Sequence, residues 1–374
     1  MNTFVRAFSL LVLTFACVDV TAQRVTAYFD YKNAFMVFDD GAFNQIEYTQ
    51  VGKYKVGGDF IAYMNADNSL KLYYKGETFM LEEAQPQSFD CSLNLCVYKM
   101  NRRLMKVENG DKTTLCDWAS DYRIGDSIAA FTDYGDPGFK VYYNGQTTAL
   151  ETGVNQGGVK EYKVSANLVA YIDASNDLKV FWHGQTYDMK TKNFSLEYEV
   201  GTDMCAFVDR FTNEFKVFYQ GDVQVLDQTP PKFMRVNNNS VAYIDASQNF
   251  NIFYNGETMF VSGFVTDTTF NAIGNMVVFS LKNDLKIFFK GKIYQLENTK
   301  LSNDHFAVKG MYFNNPRNTF VYLDNFGRLK MFDNGTIRPN VTFETPTRVE
   351  LTNDILVITL GTSTVSVYYK GKTY

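Results

Sequence analysis

The feature that most constrains this chain is that it repeats. An apolar strand ending in an aromatic leads through a polar turn to a second strand rich in aromatics, and then to a glycine. The clearest copies are Val169-Ala170-Tyr171-Ile172-Asp173 leading to Leu178-Lys179-Val180-Phe181-Trp182-His183-Gly184, and Val241-Ala242-Tyr243-Ile244-Asp245 leading to Ile252-Phe253-Tyr254-Asn255-Gly256. The glycine falls at Gly41, Gly76, Gly110, Gly145, Gly184, Gly221, Gly256, Gly291, Gly335 and Gly371, in steps of 35, 34, 35, 39, 37, 35, 35, 44 and 36. The aromatic that ends the first strand recurs at Tyr28, Tyr63, Tyr98, Phe131, Tyr171, Phe207, Tyr243, Phe279 and Tyr322, and the tenth unit places Ile358 there. Ten units fill the chain from Val25 to Tyr374. A unit this small hides its apolar surface only by leaning on copies of itself.

Each unit reads as β structure. Val, Ile, Tyr and Phe alternate with polar residues over short runs, and no helical periodicity competes. In the second strand Lys71, Lys140, Lys179, Lys216, Lys286 and Lys330 alternate with apolar neighbours, and they are expected to point away from the more buried face. Turn formers such as Asn65-Ala66-Asp67-Asn68, Asp173-Ala174-Ser175-Asn176-Asp177 and Asp324-Asn325-Phe326-Gly327 separate the two strands. Their side chains can bond nearby backbone. The recurrent glycine follows a polar residue, as in Asn144-Gly145, Asn255-Gly256 and Asn334-Gly335, which signals a tight hairpin turn with positive φ at both centres. A third strand follows it, as at positions 77–81, and a fourth precedes the aromatic phrase, as at 233–236. The fold class is therefore all-β, with four-stranded antiparallel sheets of about 36 residues each.

Phrases such as Val200-Gly201-Thr202-Asp203-Met204-Cys205-Ala206-Phe207-Val208-Asp209 and Phe215-Lys216-Val217-Phe218-Tyr219 make the chain resemble a β-propeller, most nearly the TolB-like and WD40-like repeats. It lacks the Trp-Asp dipeptide of the latter, and Ile273-Gly274-Asn275 and Ile124-Gly125-Asp126 stand where TolB repeats are proline-rich. The resemblance implies blades around a channel. Single rings usually hold four to eight blades, so two tandem five-bladed rings are expected over one ten-bladed ring, with repeats 1–5 in 23–200 and repeats 6–10 in 201–374. The chain opens directly on the aromatic strand at Val25, so one strand is missing and closure is expected to involve an exchanged terminal strand.

Residues 1–22 read as a signal peptide. Arg6 precedes an apolar stretch from Phe8 to Cys17, and Val20-Thr21-Ala22 offers small residues for cleavage before Gln23. Lipidation of Cys17 is the alternative, with Thr14-Phe15-Ala16 in place of a good lipobox. No later segment is apolar enough to span a bilayer. Removing Arg6 and Asp19 leaves the net charge at −5, which argues against a nucleic-acid partner. The Thr-Ala-Gln ending resembles that of Bacteroidota exports and implies a periplasmic or outer-membrane location.

Candidate chemistry is sparse. His183 fills a slot held elsewhere by Lys75, Asn144, Gln220, Asn255, Lys290 and Lys370, so a turn residue is the reading, against a catalytic base. His305 lies beside Asp304 in an insertion and reads as a loop residue. Asp30, Asp133, Asp173, Asp209, Asp245 and Asp324 recur at the end of the first strand, where acceptors for turn N–H groups are needed. Of the cysteines beyond the leader, Cys205 reads as a small core residue, and Cys91 or Cys96 could bridge to Cys116. Doublets such as Tyr73-Tyr74 and Phe181-Trp182 place one ring on each side of a strand, as blades packed on both faces require. Loop aromatics remain for binding: Trp118, Tyr122, Phe194, Phe233, Phe306 and Tyr312. We expect no catalytic residue, metal or cofactor. Three functions stay open: an exported scaffold that docks a protein partner, a glycan-binding module, and a hydrolase or lyase using channel carboxylates and tyrosines. The first is favoured. Export and architecture together resemble a periplasmic plug or accessory subunit of the type 9 secretion translocon, which implies an outer-membrane partner.

Overall fold

The computed structural model describes residues 24–153, 158–191, 197–265, 270–300, 302, 311–314 and 316–374. The expected leader lies outside them. Ten small sheets follow one another at 25–47, 54–82, 88–116, 119–152, 159–188, 198–227, 233–262, 270–297, 319–338 and 348–373, which we number as blades 1 to 10. Seven are four-stranded antiparallel meanders. In each complete blade strand A lines the channel and B, C and D follow outward; in blade 2 these are Tyr54–Val56, Phe60–Met64, Leu70–Tyr74 and Glu77–Glu82.

Alternation along strands B and C sends side chains to both faces of a blade, and both faces are covered. Ile61, Tyr63 and Tyr73 pack with Val25, Ala27, Phe35 and Val37 of blade 1. Their neighbours Phe60, Ala62, Leu72 and Tyr74 pack with Phe89, Cys96 and Tyr98 of blade 3. Every pair of successive blades shares such a cluster, each buried side chain contributing roughly 1.5–3 kcal/mol. The doublet Tyr73-Tyr74 therefore serves two interfaces.

These clusters overturn the expectation of two five-bladed rings. Leu168, Val180 and Leu178 of blade 5 pack on Tyr198, Cys205 and Phe207 of blade 6 just as other neighbours do, so no boundary falls near residue 200. Blade 10 meets blade 1 through Ile355, Val357, Val367 and Tyr369 against Tyr28 and Phe38. The chain is one ring of ten blades. That last cluster also shows how the ring closes: by face-to-face packing of complete strands, without an exchanged strand between the first and last blades among the described residues.

Three sheets depart from the four-stranded meander, blades 1 and 9 with three strands and blade 10 with five. Blade 1 has three strands, Val25–Phe29, Phe35–Asp39 and Ala42–Glu47, and no inner strand among the described residues. Blades 10 and 2 consequently meet at the channel, where Asn353 Nδ2 donates to Gly57 O at 2.9 Å. In blade 9 the inner segment Met311–Asn314 pairs in parallel with Arg348–Thr352 of blade 10, Met311 opposite Val349, and leaves its own sheet with three strands.

The strand C lysines are less buried than their apolar neighbours and all are paired: Lys140, Lys216 and Lys286 with acids of their own blade, the other three across to the preceding blade. Lys71 meets Glu47 of the preceding blade at 2.8 Å, Lys179 meets Glu151 at 2.6 Å, and Lys330 pairs with Glu297. The same glutamates accept from the aromatic of strand B: Tyr63 to Glu47 at 3.0 Å, Tyr171 to Glu151 at 3.2 Å, Tyr322 to Glu297 at 3.3 Å. A part-buried lysine and a buried phenol need an acceptor, and the outer strand of the blade before supplies it.

Candidate functional site

An up-down-up-down meander sorts its turns onto two faces. The A–B and C–D turns emerge on one, the B–C turns and D–A connections on the other. The two faces carry different chemistry.

On the B–C face an aspartate at the end of strand B folds its turn around one carboxylate oxygen. Asp173 Oδ1 accepts from Ser175 N at 2.8 Å and Asp177 N at 3.0 Å, and Asp324 Oδ1 accepts from Phe326 N at 2.9 Å and Arg328 N at 3.0 Å. Asp30, Asp133, Asp209 and Asp245 do the same. Bonds from the turn amides and from Lys179, Lys216 and Arg328 hold Asp173, Asp209 and Asp324 below the usual carboxylate range, although burial acts the other way as the largest single influence. The fixed turns push aromatic rings outward: Phe211 is 85% exposed and Phe326 81%. The D–A connections add Tyr48, Phe264 at 86% and Phe343 at 80%. Tyr31, Trp118 and Tyr134 complete the set, with the Lys32 ammonium 5.3 Å from the Tyr31 ring, Arg102 4.6 Å from Trp118 and Arg328 5.0 Å from Phe326. Exposed aromatics flanked by cations are the residues that dominate protein interfaces.

The opposite face is polar and closed. Its C–D turns hold positive φ at both centres, as at Asn144 (53°) and Gly145 (83°), or His183 (48°) and Gly184 (82°). The polar residue of each pair faces water. Nearer the axis, the A–B turns bond to one another around the channel mouth: Gly58 N to Leu93 O at 2.8 Å, Asn94 N to Asp126 O at 3.0 Å, Asp126 N to Ala166 O at 3.0 Å, Asn238 N to Gly274 O at 2.9 Å and Asn275 N to Arg317 O at 2.7 Å. Arg317 of blade 9 crosses to pair with Asp126 of blade 4. Beside that crossing lies a cavity of about 440 Å³, lined by Asp90, Ser92, Tyr122, Arg123, Asn238 and Arg317 among others. Along the channel wall several charged and phenolic side chains are paired with one another: Lys55 with Asp90 at 3.0 Å, Tyr162 with Asp121 at 2.9 Å, Arg235 with Glu199 at 3.4 Å, and Arg348 with Glu350. Burial raises Glu350 and Asp354 above the usual carboxylate range, the latter despite N–H bonds from Arg317, Asn318 and Thr319.

The loop aromatics expected from the sequence are not brought together as a set. Trp118 is on the B–C face, 5.9 Å from Tyr134. Tyr122 is not a loop residue. It stands in strand A of blade 4, part-buried, its hydroxyl donating to Ser88 Oγ at 3.0 Å. Phe233 opens strand A of blade 7 and packs 5.1 Å from Phe270. Tyr312 is in the segment paired with blade 10, opposite Glu350. Phe194, Phe306 and His305 lie outside the described residues. His183 stacks on Trp182 with ring centres 4.2 Å apart, in the turn slot.

The bridge from Cys91 or Cys96 to Cys116 is ruled out by topology. Cys96 and Cys116 occupy strands B and D, about 10 Å apart at sheet spacing, and a disulfide spans less than 7 Å. They also face opposite neighbours, Cys96 toward blade 2 and Cys116 toward blade 4.

Several residues of weight escaped the sequence reading. The clasping glutamates Glu47, Glu82, Glu151 and Glu297 each fall six positions after the recurrent glycine, a spacing that identifies them. Exposed Phe211 and Phe326 each sit two positions after the turn aspartate. Arg317 carries no repeat signal.

A family model described as the 10-bladed beta propeller domain matches residues 19–374. The chain belongs to that family. No curated protein matches this ten-bladed propeller in sequence. Among solved structures, it is similar to the computationally designed Ika8 protein (17% identity, 85% of this chain and 96% of that one, TM-score 0.35). It is similar also to Prp20p of Saccharomyces cerevisiae, a structure described with its binding to Gsp1p and histones (8% identity, 56% and 72% covered, TM-score 0.32). A third is PorZ, a bacterial surface component of the type-IX secretion system of Porphyromonas gingivalis (8% identity, 94% and 57% covered, TM-score 0.29).

Proposed function

We propose that this propeller is an exported, non-catalytic scaffold that docks a protein partner on its B–C face. The observation that carries the reading is the concentration of outward aromatics, Phe211, Phe264, Phe326 and Phe343 foremost, on that face alone among the described turns and connections. Rings left in water by turns that are otherwise tightly bonded have no folding role there, and they supply apolar contact area. Lys32, Arg102 and Arg328 beside such rings suit a partner surface that mixes aliphatic side chains with carboxylates. Against a hydrolase or lyase, the channel carboxylates Asp90, Asp121, Glu199 and Glu350 are held by Lys55, Tyr162, Arg235 and Arg348. The leader reading of residues 1–22 supports the periplasm or the periplasmic face of the outer membrane, where an accessory or plug subunit of a protein secretion complex is the role we assign.

The test is co-purification of the full chain from solubilised outer membranes of its host. A stoichiometric membrane-protein partner, lost when Phe211, Phe264 and Phe326 are all changed to Ala, is the expected result. Recovery of free monomer alone would overturn the reading, and saturable polysaccharide binding abolished by Trp118→Ala would replace it with the glycan module.

A further inference from the structure

The inner hairpin of blade 3 differs from its counterparts. At its A–B turn, Ser92 N donates to Leu95 O at 2.8 Å, so the next pair outward, Cys91 opposite Cys96, is a non-hydrogen-bonded pair, in which Cα atoms approach to about 4.5 Å. That separation lies within the range a disulfide spans. In other blades the same cross-strand slot holds Val56 and Ile61, Ile124 and Ala129, Val164 and Val169, or Val236 and Val241. Blade 6 places Val200 opposite Cys205. Only in blade 3, among these, are both partners cysteine, and their sulfurs are 2.7 Å apart. Among the described residues no other disulfide can form, because Cys116 and Cys205 each face a different interface.

We propose that Cys91 and Cys96 form a disulfide that staples strand A to strand B of blade 3. The two thiols lose two electrons and two protons to an incoming disulfide, supplied by a disulfide-donating thiol oxidase or by glutathione disulfide, which leaves as two thiols. Part-exposed Cys91 forms the mixed disulfide, and Cys96 displaces the carrier. The consequence reaches beyond the hairpin. The stapled turn presents Ser92 Oγ to Gly125 O and Asn94 N to Asp126 O, and Asp126 receives Arg317 from across the ring, so the bond fixes the part of the channel mouth where that crossing is made. Burial pushes the Cys91 thiol up, which suits a bond made once during folding over one that exchanges repeatedly.

The experiment refolds the full chain from urea in a glutathione redox buffer, alkylates remaining thiols under denaturing conditions, and reads the tryptic peptide 76–99, which holds both cysteines. The peptide is expected to be two hydrogens lighter and unalkylated, while Cys116 and Cys205 are alkylated in full. Reducing the bond in the folded chain should need at least tenfold more reduced glutathione than reducing it in the isolated peptide. A Cys116→Ser, Cys205→Ser double variant retains the bond, and Cys91→Ser leaves Cys96 alkylated. Free thiols at 91 and 96 in the folded protein, a bond to Cys116, or a bond no harder to reduce than in the peptide would each overturn the proposal. None of these outcomes depends on export or on the docking partner.

Discussion

The two faces of the ring come from the same repeat and are built in opposite ways. On the A–B face the turns hold one another: backbone bonds run from blade to blade and Arg317 reaches Asp126 from the far side. On the B–C face six turns are each held by their own aspartate, and Phe211 and Phe326 project from two of them into solvent. A face bonded around its circumference is rigid and has few free groups to offer. A face of self-supporting turns can vary its outer residues without disturbing the ring, and that is where Phe211, Phe264, Phe326 and Phe343 are exposed. The difference teaches that the face we propose for docking is the one where the blade-to-blade backbone bonds of the channel mouth are not repeated.

The largest expected effect tests the closed face. A Cβ added to Gly125 would lie 1.8 Å from Ser165 O and 2.7 Å from Ile128 Cγ2, whereas one on Gly145, in a C–D turn of the same blade and face, meets nothing within 4 Å. Gly125→Ala should lower stability by about 3 kcal/mol, and Gly145→Ala by about 1 kcal/mol, from its positive φ alone. Urea midpoints measure both. Equal losses at the two sites would dissolve the distinction between mouth and rim.

The second effect belongs to the open face. Phe211→Ala with Phe326→Ala should weaken partner binding by about 10- to 100-fold and shift stability by under about 0.5 kcal/mol, read by titration calorimetry and urea unfolding. Changing Lys75 and Asn144 together to Ala, on the other face, should leave affinity intact. If both pairs weakened binding alike, the partner would have to contact the whole ring.

How far the sequence discloses this arrangement depends on whether a feature repeats. The ten units, the sheet in each and the bonding of the turn aspartates were legible because every blade solves the same local problem. The clasping glutamates were legible in principle, six positions after four of the ten glycines, but their partners lie in the next blade and leave no local trace. Ring number was not legible, since a blade packs on its neighbours through the same side chains in either arrangement. Tyr122 was misplaced because blade 4 has only two residues between Cys116 and Ala119, so a position that reads as a loop is already inner strand. Arg317 answers a need that arises once, across the ring, and no periodicity points to it.

A third prediction separates the faces by pH. Asp324 has a depressed pKa in the folded chain, so its contribution is complete above the unfolded value near 4 and is lost as pH falls through the lower folded value. Asp324→Asn should cost about 1–2 kcal/mol at pH 7 and progressively less as pH falls through the folded value. Asp354, at the mouth, is raised by burial. The folded state therefore binds the more protons between about 4 and its raised value, and this group adds stability as pH falls through that window. Asp354→Asn should remove that gain. Urea unfolding of both variants between pH 2 and 7 gives the two slopes, and the same sign in both would refute the opposed electrostatics of the two faces.

The smallest expected effect concerns His183, the residue that most invites a catalytic reading. Its backbone φ of 48° and its place before Gly184 match the slot that Asn144, Asn255 and Asn334 fill in other blades, with φ of 53°, 53° and 46°. Asn adopts this conformation more readily than His, and the imidazole contributes an exposed stack on Trp182 and a 3.8 Å approach to Asp203. His183→Asn should therefore leave stability within about 0.5 kcal/mol of wild type and leave partner binding unchanged, because the residue stands on the face away from the exposed phenylalanines. A loss of binding confined to this variant, with Lys75 and Asn144 still tolerant of change, would place a second contact on the closed face and end the assignment of one face to folding and the other to docking.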